Sequence, residues 1–246
     1  VKRSESIIKG WTCTNILQNN SSRSKWYRVE LCTYVDASFL ERWICFGDSN
    51  THGTPPITEL GRYERFGGGQ RWPSLLTGHE VIEEGLPGRT AMYDDPVMGA
   101  HMNGQAGLKI ALESHGPIDV LVLMLGTNDV KARFTSTPEQ VVGGIASLLD
   151  IAQHRLMQER HGGFQTLLIC PPPVVEVGPI RHEFWGGAAR SVALPPLYQA
   201  LAKARGIGFL DAAAVIAVSP IDGVHFGIEE HAKLAMAVQE KIAALI

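Results

Sequence analysis

Cysteine is scarce. Cys13, Cys32, Cys45 and Cys170 are the four in 246 residues, and no two of them make a CxxC pair or a zinc-binding pattern. Cys45 and Cys170 fall inside apolar runs and read as buried thiols of a reducing compartment. The histidines are no better organised for a metal. His101, His115, His154, His161 and His182 are scattered without HExxH spacing, so no metal is assigned. Gly67-Gly68-Gly69 lacks both a preceding strand and the Lys-Ser/Thr that would make it a phosphate loop. No apolar run approaches 18 residues, so no membrane partner is expected. Lys2 and Arg3 lead into no apolar stretch, which argues against a secretory signal and makes a cytoplasmic home the expectation. The formal net charge of -3 implies no basic face, so nucleic acid is not expected as a partner either.

What remains is ordinary globular composition, 45% hydrophobic and 19% charged, with enough length for a proper core. The first forty residues stand apart. They contain the polar, turn-rich stretch NNSSRSK at 19–25 and no sustained period. Residues 1–40 are therefore read as an extension, partly disordered or loosely packed, and 41–246 as the folded domain. In the latter, short apolar runs (43–46, 80–82, 120–125, 167–170 and 208–210) alternate with helix-compatible stretches (72–76, 104–114, 138–159, 188–204 and 229–246). In the last of these, Leu234, Val238, Ile242 and Ile246 recur four apart on one face. Strands alternating with helices predict an α/β fold, a five-stranded parallel sheet with helices on both faces.

In such sheets, sites form beyond the carboxyl ends of the strands. The first strand is followed by Gly47-Asp48-Ser49-Asn50-Thr51, the second by a turn ending in Gly88-Arg89, and the third by Gly126-Thr127-Asn128-Asp129. Asp222-Gly223-Val224-His225 precedes the last helix. Together these loops hold the parts for acyl transfer. A serine hydroxyl is a weak nucleophile until a base takes its proton, and His225 titrates in the right range for that. Asp222 could fix the imidazole tautomer. The backbone N–H groups of Ser49 and Gly88 and the Asn128 carboxamide are candidate oxyanion donors. The bland reading of Asp222 and His225 is helix capping on a surface loop. Asp48 and Asp129 are read as carboxylates that order their own turns.

These residues carry a resemblance. Gly47-Asp48-Ser49 resembles block I of the SGNH (GDSL-like) hydrolases, Gly88 their block II, Gly126-Thr127-Asn128-Asp129 their block III and Asp222-Gly223-Val224-His225 their block V. The similarity spans residues 42–246. VIEEGLPGRT, LMLGTNDVKARF and DGVHF are most similar to the arylesterase/acyltransferase (perhydrolase-type) branch. The resemblance implies a flavodoxin-like three-layer sandwich and a serine carboxylic-ester hydrolase that needs no cofactor. Its expected substrate is a small-molecule ester with a short, acetyl-like acyl group. It also implies acyl transfer through an acyl-enzyme and homo-oligomers, and a carbohydrate acetylesterase is the alternative within it. Asn50 departs from the family's usual Leu after the serine, and is expected to alter local packing more than activity.

Several neighbouring residues admit two readings. His52 either lines the site or lies on a surface loop. Phe184 and Trp185 either wall a pocket or form a subunit contact. Residues 61–70 are a lid-like loop or, the preferred reading, a solvated one. Arg89 orients its turn or the substrate, or makes a surface salt bridge, again the preferred reading.

Overall fold

The computed structural model describes residues 5–8, 11–20, 25–34 and 40–246. The chain divides into two compact units at Leu40/Glu41. In the first, β1 (Glu5–Ile8), β2 (Trp11–Asn20) and β3 (Lys25–Tyr34) form an antiparallel sheet in the order β1-β2-β3. β2 and β3 pair from Trp11↔Tyr34 to Asn20↔Lys25. The sequence reading found no period here. A short alternation does run through Tyr27, Val29, Leu31 and Thr33, and it marks a strand where a helix-sized window averages it away. The expectation of partial disorder concerns residues of which 1–4, 9–10, 21–24 and 35–39 lie outside the described residues.

The second unit is built on five parallel strands: β4 (Arg42–Gly47), β5 (Glu80–Gly85), β6 (Val120–Met124), β7 (Gln165–Cys170) and β8 (Gly208–Asp211). Their order is β5-β4-β6-β7-β8. The helices are α1 (Ser49–His52), α2 (Gly104–Ser114), α3 (Pro138–Ala152), α4 (Arg155–His161), α5 (Gly187–Val192), α6 (Leu194–Arg205) and α7 (Ile228–Ala243). The expected three-layer arrangement follows from strand alternation. Ile44, Phe46, Leu121, Leu123 and Leu168 face one core with α2, α3 and α6, through Leu108, Leu112, Ile145, Leu149 and Tyr198. The intervening Trp43, Cys45, Val120, Val122, Leu167 and Ile169 face a second core with Trp72 and with Leu234, Val238 and Ile242 of α7. Burying both faces explains why the strands read as continuous apolar runs.

Four expectations need correction. The stretch 138–159 is two helices, because Gln153 and His154 leave helical geometry (His154 φ -59, ψ 133). The stretch 188–204 is likewise two. α6 opens on Leu194-Pro195-Pro196, where prolines fit the first turn but cannot continue a preceding helix. Residues 72–76 form only a 3-10 turn over Pro73–Leu75. On the last helix, Ile246 lies past the end of α7 and is exposed, while the other three members of the stripe are fully buried.

The strand order places a crevice at the sheet's carboxyl edge. β4 leads outward to β5, and the chain then crosses back to β6 on the other side of β4. The loops after β4 and β6 therefore diverge from adjacent strands, which is the switch-point position where α/β sheets bind ligands.

Candidate active site

The nucleophile candidate sits at the first turn after β4. Asp48 caps α1, its Oδ1 accepting the Asn50 N–H at 2.9 Å. α1 is a single turn, ended by Gly53 at φ 86, so its dipole at Ser49 is that of one turn only. Ser49 is 5% exposed at the crevice.

The loop before α7 brings the other two residues. His225 Nε2 lies 3.0 Å from Ser49 Oγ, and His225 Nδ1 lies 2.6 Å from Asp222 Oδ2. These three expected residues are thus brought together, His225 lying 176 positions beyond Ser49 in the chain. Asp222 is fully buried and satisfied. Its Oδ1 accepts the N–H groups of Val224 and His225, both at 3.0 Å, and its Oδ2 also accepts the Ile57 N–H at 2.7 Å. Burial pushes this carboxyl up, but the bonds from His225 and the backbone outweigh it, so Asp222 lies below the usual carboxylate range. The surface-loop reading of Asp222 and His225 is set aside by their burial.

The three oxyanion candidates line the same cavity as Ser49 and His225. Among the described residues, neither the Ser49 nor the Gly88 N–H donates to a protein acceptor. Gly88 has φ +91, and a Cβ there would stand 2.6 Å from Met98 Cε. Glycine is required for the turn itself and for its approach to the cavity. Asn128 Nδ2 donates to the Arg89 carbonyl at 3.0 Å and to Asp48 Oδ2 at 3.3 Å. Asp48 is buried, which raises its pKa. Asp129 is fully buried and accepts the Ala91 N–H on both oxygens, at 2.9 and 3.0 Å, with its pKa pushed up to about 7 by burial. Asp129 therefore ties the β6 loop to the Gly88 turn, rather than only ordering its own.

The cavity measures about 330 Å³. His52 lines it, with Nδ1 3.2 Å from Thr54 Oγ1. Burial, Arg65 and Arg71 hold the His52 imidazole below its ordinary range. Phe184 is a buried wall residue, whereas Trp185 is exposed and lies off the lining. Leu60, Gly61, Arg62, Tyr63 and Glu64 line the cavity while remaining exposed, as the solvated reading expects. Arg89 corrects the preferred reading. It is 6% exposed, lies 4.0 Å over the Phe46 ring, and donates to the Glu84 and Gly47 carbonyls, so it braces the turn from inside.

Sequence reasoning missed a polar wall. Lys131 Nζ and Arg133 NH2 hold Glu183 Oε2 at 2.9 and 2.8 Å, and all three line the cavity. Burial lowers the Lys131 ammonium's pKa, and the Glu183 charge acts in the other direction. Lys131 and Arg133 stand in the VKARF stretch directly after Asn128-Asp129, a short step from residues already under suspicion. Their partner Glu183, 50 residues beyond Arg133, had no signal in the sequence.

The arrangement can activate a hydroxyl, hold the resulting imidazolium and offer donors to an oxyanion. The family model described as GDSL-like Lipase/Acylhydrolase matches residues 45–231. The chain belongs to this SGNH hydrolase family. A carbohydrate acetylesterase from Sinorhizobium meliloti is 35% identical, with a TM-score of 0.78, over 84% of this chain and 100% of its own. The aryl esterase of M. smegmatis is 34% identical over the same shares, also with a TM-score of 0.78. A second carbohydrate acetylesterase family member from Sinorhizobium meliloti is 33% identical, covering 84% of this chain and 99% of its own, at a TM-score of 0.75. No curated protein sequence matches. Membership and these relatives make this SGNH hydrolase a serine carboxylic-ester hydrolase with esterase activity.

Proposed function

We propose that the enzyme cleaves short-chain aryl and alkyl esters through an acyl-enzyme on Ser49. The observation that carries this is the continuous Ser49–His225–Asp222 hydrogen-bond line, at 3.0 and 2.6 Å. Ser49 Oγ attacks the ester carbonyl while His225 Nε2 takes its proton, and Asp222 holds the imidazolium that forms. The oxyanion is received by the Ser49 and Gly88 N–H groups and by Asn128 Nδ2. The longer of the two Asn128 bonds, 3.3 Å to Asp48, is the one an oxyanion competes for. The intermediate collapses, and His225 returns the proton to the leaving alcohol. Water then attacks the acyl-enzyme by the same route. An alcohol or peroxide in its place gives acyl transfer.

Short acyl groups are favoured by the cavity's modest size and by Met98 and Phe184 in its lining. A second reading is a carbohydrate acetylesterase. It is favoured by the polar wall of Lys131, Arg133 and Glu183, which suits a hydroxyl-rich alcohol, and by the likeness to an acetylesterase. Hydrolysis of p-nitrophenyl esters of increasing chain length, beside sugar acetates, separates the two. Activity should fall with chain length and should drop by several orders of magnitude in Ser49→Ala. A Ser49→Ala enzyme as active as wild type would remove the mechanism.

A further inference from the structure

We propose that Asn50 is a positioning residue for His225, acting through a hydrogen bond from its side chain to the Val224 carbonyl. The inference rests on the Ser49–His225 mechanism above and adds to it a residue that touches neither substrate nor proton.

Asn50 is the second residue of α1 and 1% exposed. Its Nδ2 donates to Val224 O at 3.2 Å, across 174 residues of chain. Among the described residues, its Oδ1 is buried with no hydrogen-bond partner. A buried carbonyl without a partner opposes stability, and an apolar side chain of the same branched shape would avoid that cost. Packing alone therefore does not explain an amide here. The donor half of the amide does.

The loop that bears His225 is closed largely on itself. Ser219 N donates to His225 O at 2.8 Å, Gly223 N to Ser219 O at 2.8 Å, and Val224 and His225 N to Asp222 Oδ1 at 3.0 Å. These bonds set the loop's shape and leave its placement relative to Ser49 open. Two bonds anchor it elsewhere, from Val175 N to Gly223 O at 2.8 Å and from Ile57 N to Asp222 Oδ2 at 2.7 Å. The Asn50 bond ties it directly to the turn carrying the nucleophile. Among the described residues, the other direct hydrogen bond between them is Ser49–His225 itself, which breaks in every turnover. Asn50 thus holds the base beside the nucleophile while the proton is moving. Asn50 is absent from the cavity lining, so its effect should fall on the chemical step and not on substrate binding.

The test compares wild type, Asn50→Leu, Asn50→Asp and Ser49→Ala on p-nitrophenyl acetate, with thermal melts of each and the rate at which a labelled alkyl phosphonate modifies Ser49. Leu removes the donor. Asp keeps the shape and replaces the donor with an acceptor facing the Val224 carbonyl, which gives a second route should Asn50→Leu fold poorly. The expected result is a kcat lower by about ten- to hundredfold in both variants, as for a misplacement near 1 Å, with KM unchanged and phosphonylation slowed in parallel. The melt of Asn50→Leu should change little, because losing the unpaired Oδ1 offsets leaving the buried Val224 carbonyl without its donor. If either variant folds with wild-type kcat, Asn50 positions nothing. If KM rises while kcat holds, Asn50 acts on binding and the proposal is overturned. Activity in Ser49→Ala would instead overturn the underlying mechanism, which keeps the two failures distinct.

Discussion

Replacing Asp222 with Asn would test the site's geometry most sharply, because the change is isosteric and its consequences can be counted. The carboxylate accepts four bonds: Val224 N and His225 N at 3.0 Å on Oδ1, Ile57 N at 2.7 Å and His225 Nδ1 at 2.6 Å on Oδ2. A carboxamide has one acceptor oxygen. If that oxygen takes the Oδ2 place, the NH2 group faces two backbone N–H donors and both lose their acceptor. If it takes the Oδ1 place, only the Ile57 N–H is orphaned, so this orientation is preferred. The NH2 group then faces His225 Nδ1 and selects the tautomer with the proton on Nε2. That nitrogen can no longer accept the Ser49 proton. One orphaned buried donor costs about 1–3 kcal/mol. In a domain of this size that lowers the melting temperature by roughly 2–12 °C. The wrong tautomer costs about 10⁴-fold in kcat. Steady-state hydrolysis of p-nitrophenyl acetate and a thermal melt measure both. A folded variant that keeps kcat within about tenfold of wild type would show that Asp222 does not hold the imidazole.

Two further perturbations follow from single residues. Gly88→Ala should cost about 1–2 kcal/mol from its φ of +91, and more from the Met98 contact, and should lower kcat/KM by turning the N–H away from the cavity. Calorimetry and kinetics on the same preparation check it, and an unchanged kcat/KM would remove Gly88 from the oxyanion set. His231 is fully buried, and burial, with the nearby His225 and Arg71 charges, lowers its pKa to about 4. The unfolded chain therefore binds the extra proton between about 6.5 and 4, so stability is complete above that range and falls as the pH drops through it, by up to about 3 kcal/mol. His231→Leu should flatten the melting temperature across this window, and a slope identical to wild type would assign the acid loss elsewhere.

The sheet and the first rank of the site were legible because both faces of each central strand are buried. That makes the strands continuous apolar runs, and strand ends are where sites form, so Ser49, Asn128 and the Asp222–His225 loop could be read by position as well as by type. What was not legible depended on contacts between distant segments or on backbone groups. The Ile57 N–H on Asp222 leaves no mark on residue type. Arg89 looked like a surface charge because nothing local announces that its guanidinium will lie 4.0 Å over Phe46 and cap strand-end carbonyls. The break at Gln153-His154 carries neither Gly nor Pro, so periodicity ran through it. Asn50 was visible only as a departure from a familiar pattern. Its Val224 bond, and with it an argument for a role beyond packing, needed the fold.

The two acids beneath the oxyanion donors show how the same burial serves the chemistry. Asp48 orders the Ser49 turn and contacts Asn128, while Asp129 fastens the Gly88 turn through Ala91. As carboxylates, both would set negative charge close to the point where the oxyanion forms, in a poorly solvated site where that repulsion is strong. Burial raises the pKa of each, to about 7 for Asp129, against the hydrogen bonds that pull it down. Asp222 is buried too, yet it is driven the other way by three backbone donors and by the imidazole it faces. The contrast follows from what each carboxyl meets. Where a positive charge must develop, on His225, the acid is kept ionised. Where a negative charge must develop, between Ser49, Gly88 and Asn128, burial instead raises the pKa of the two acids nearby.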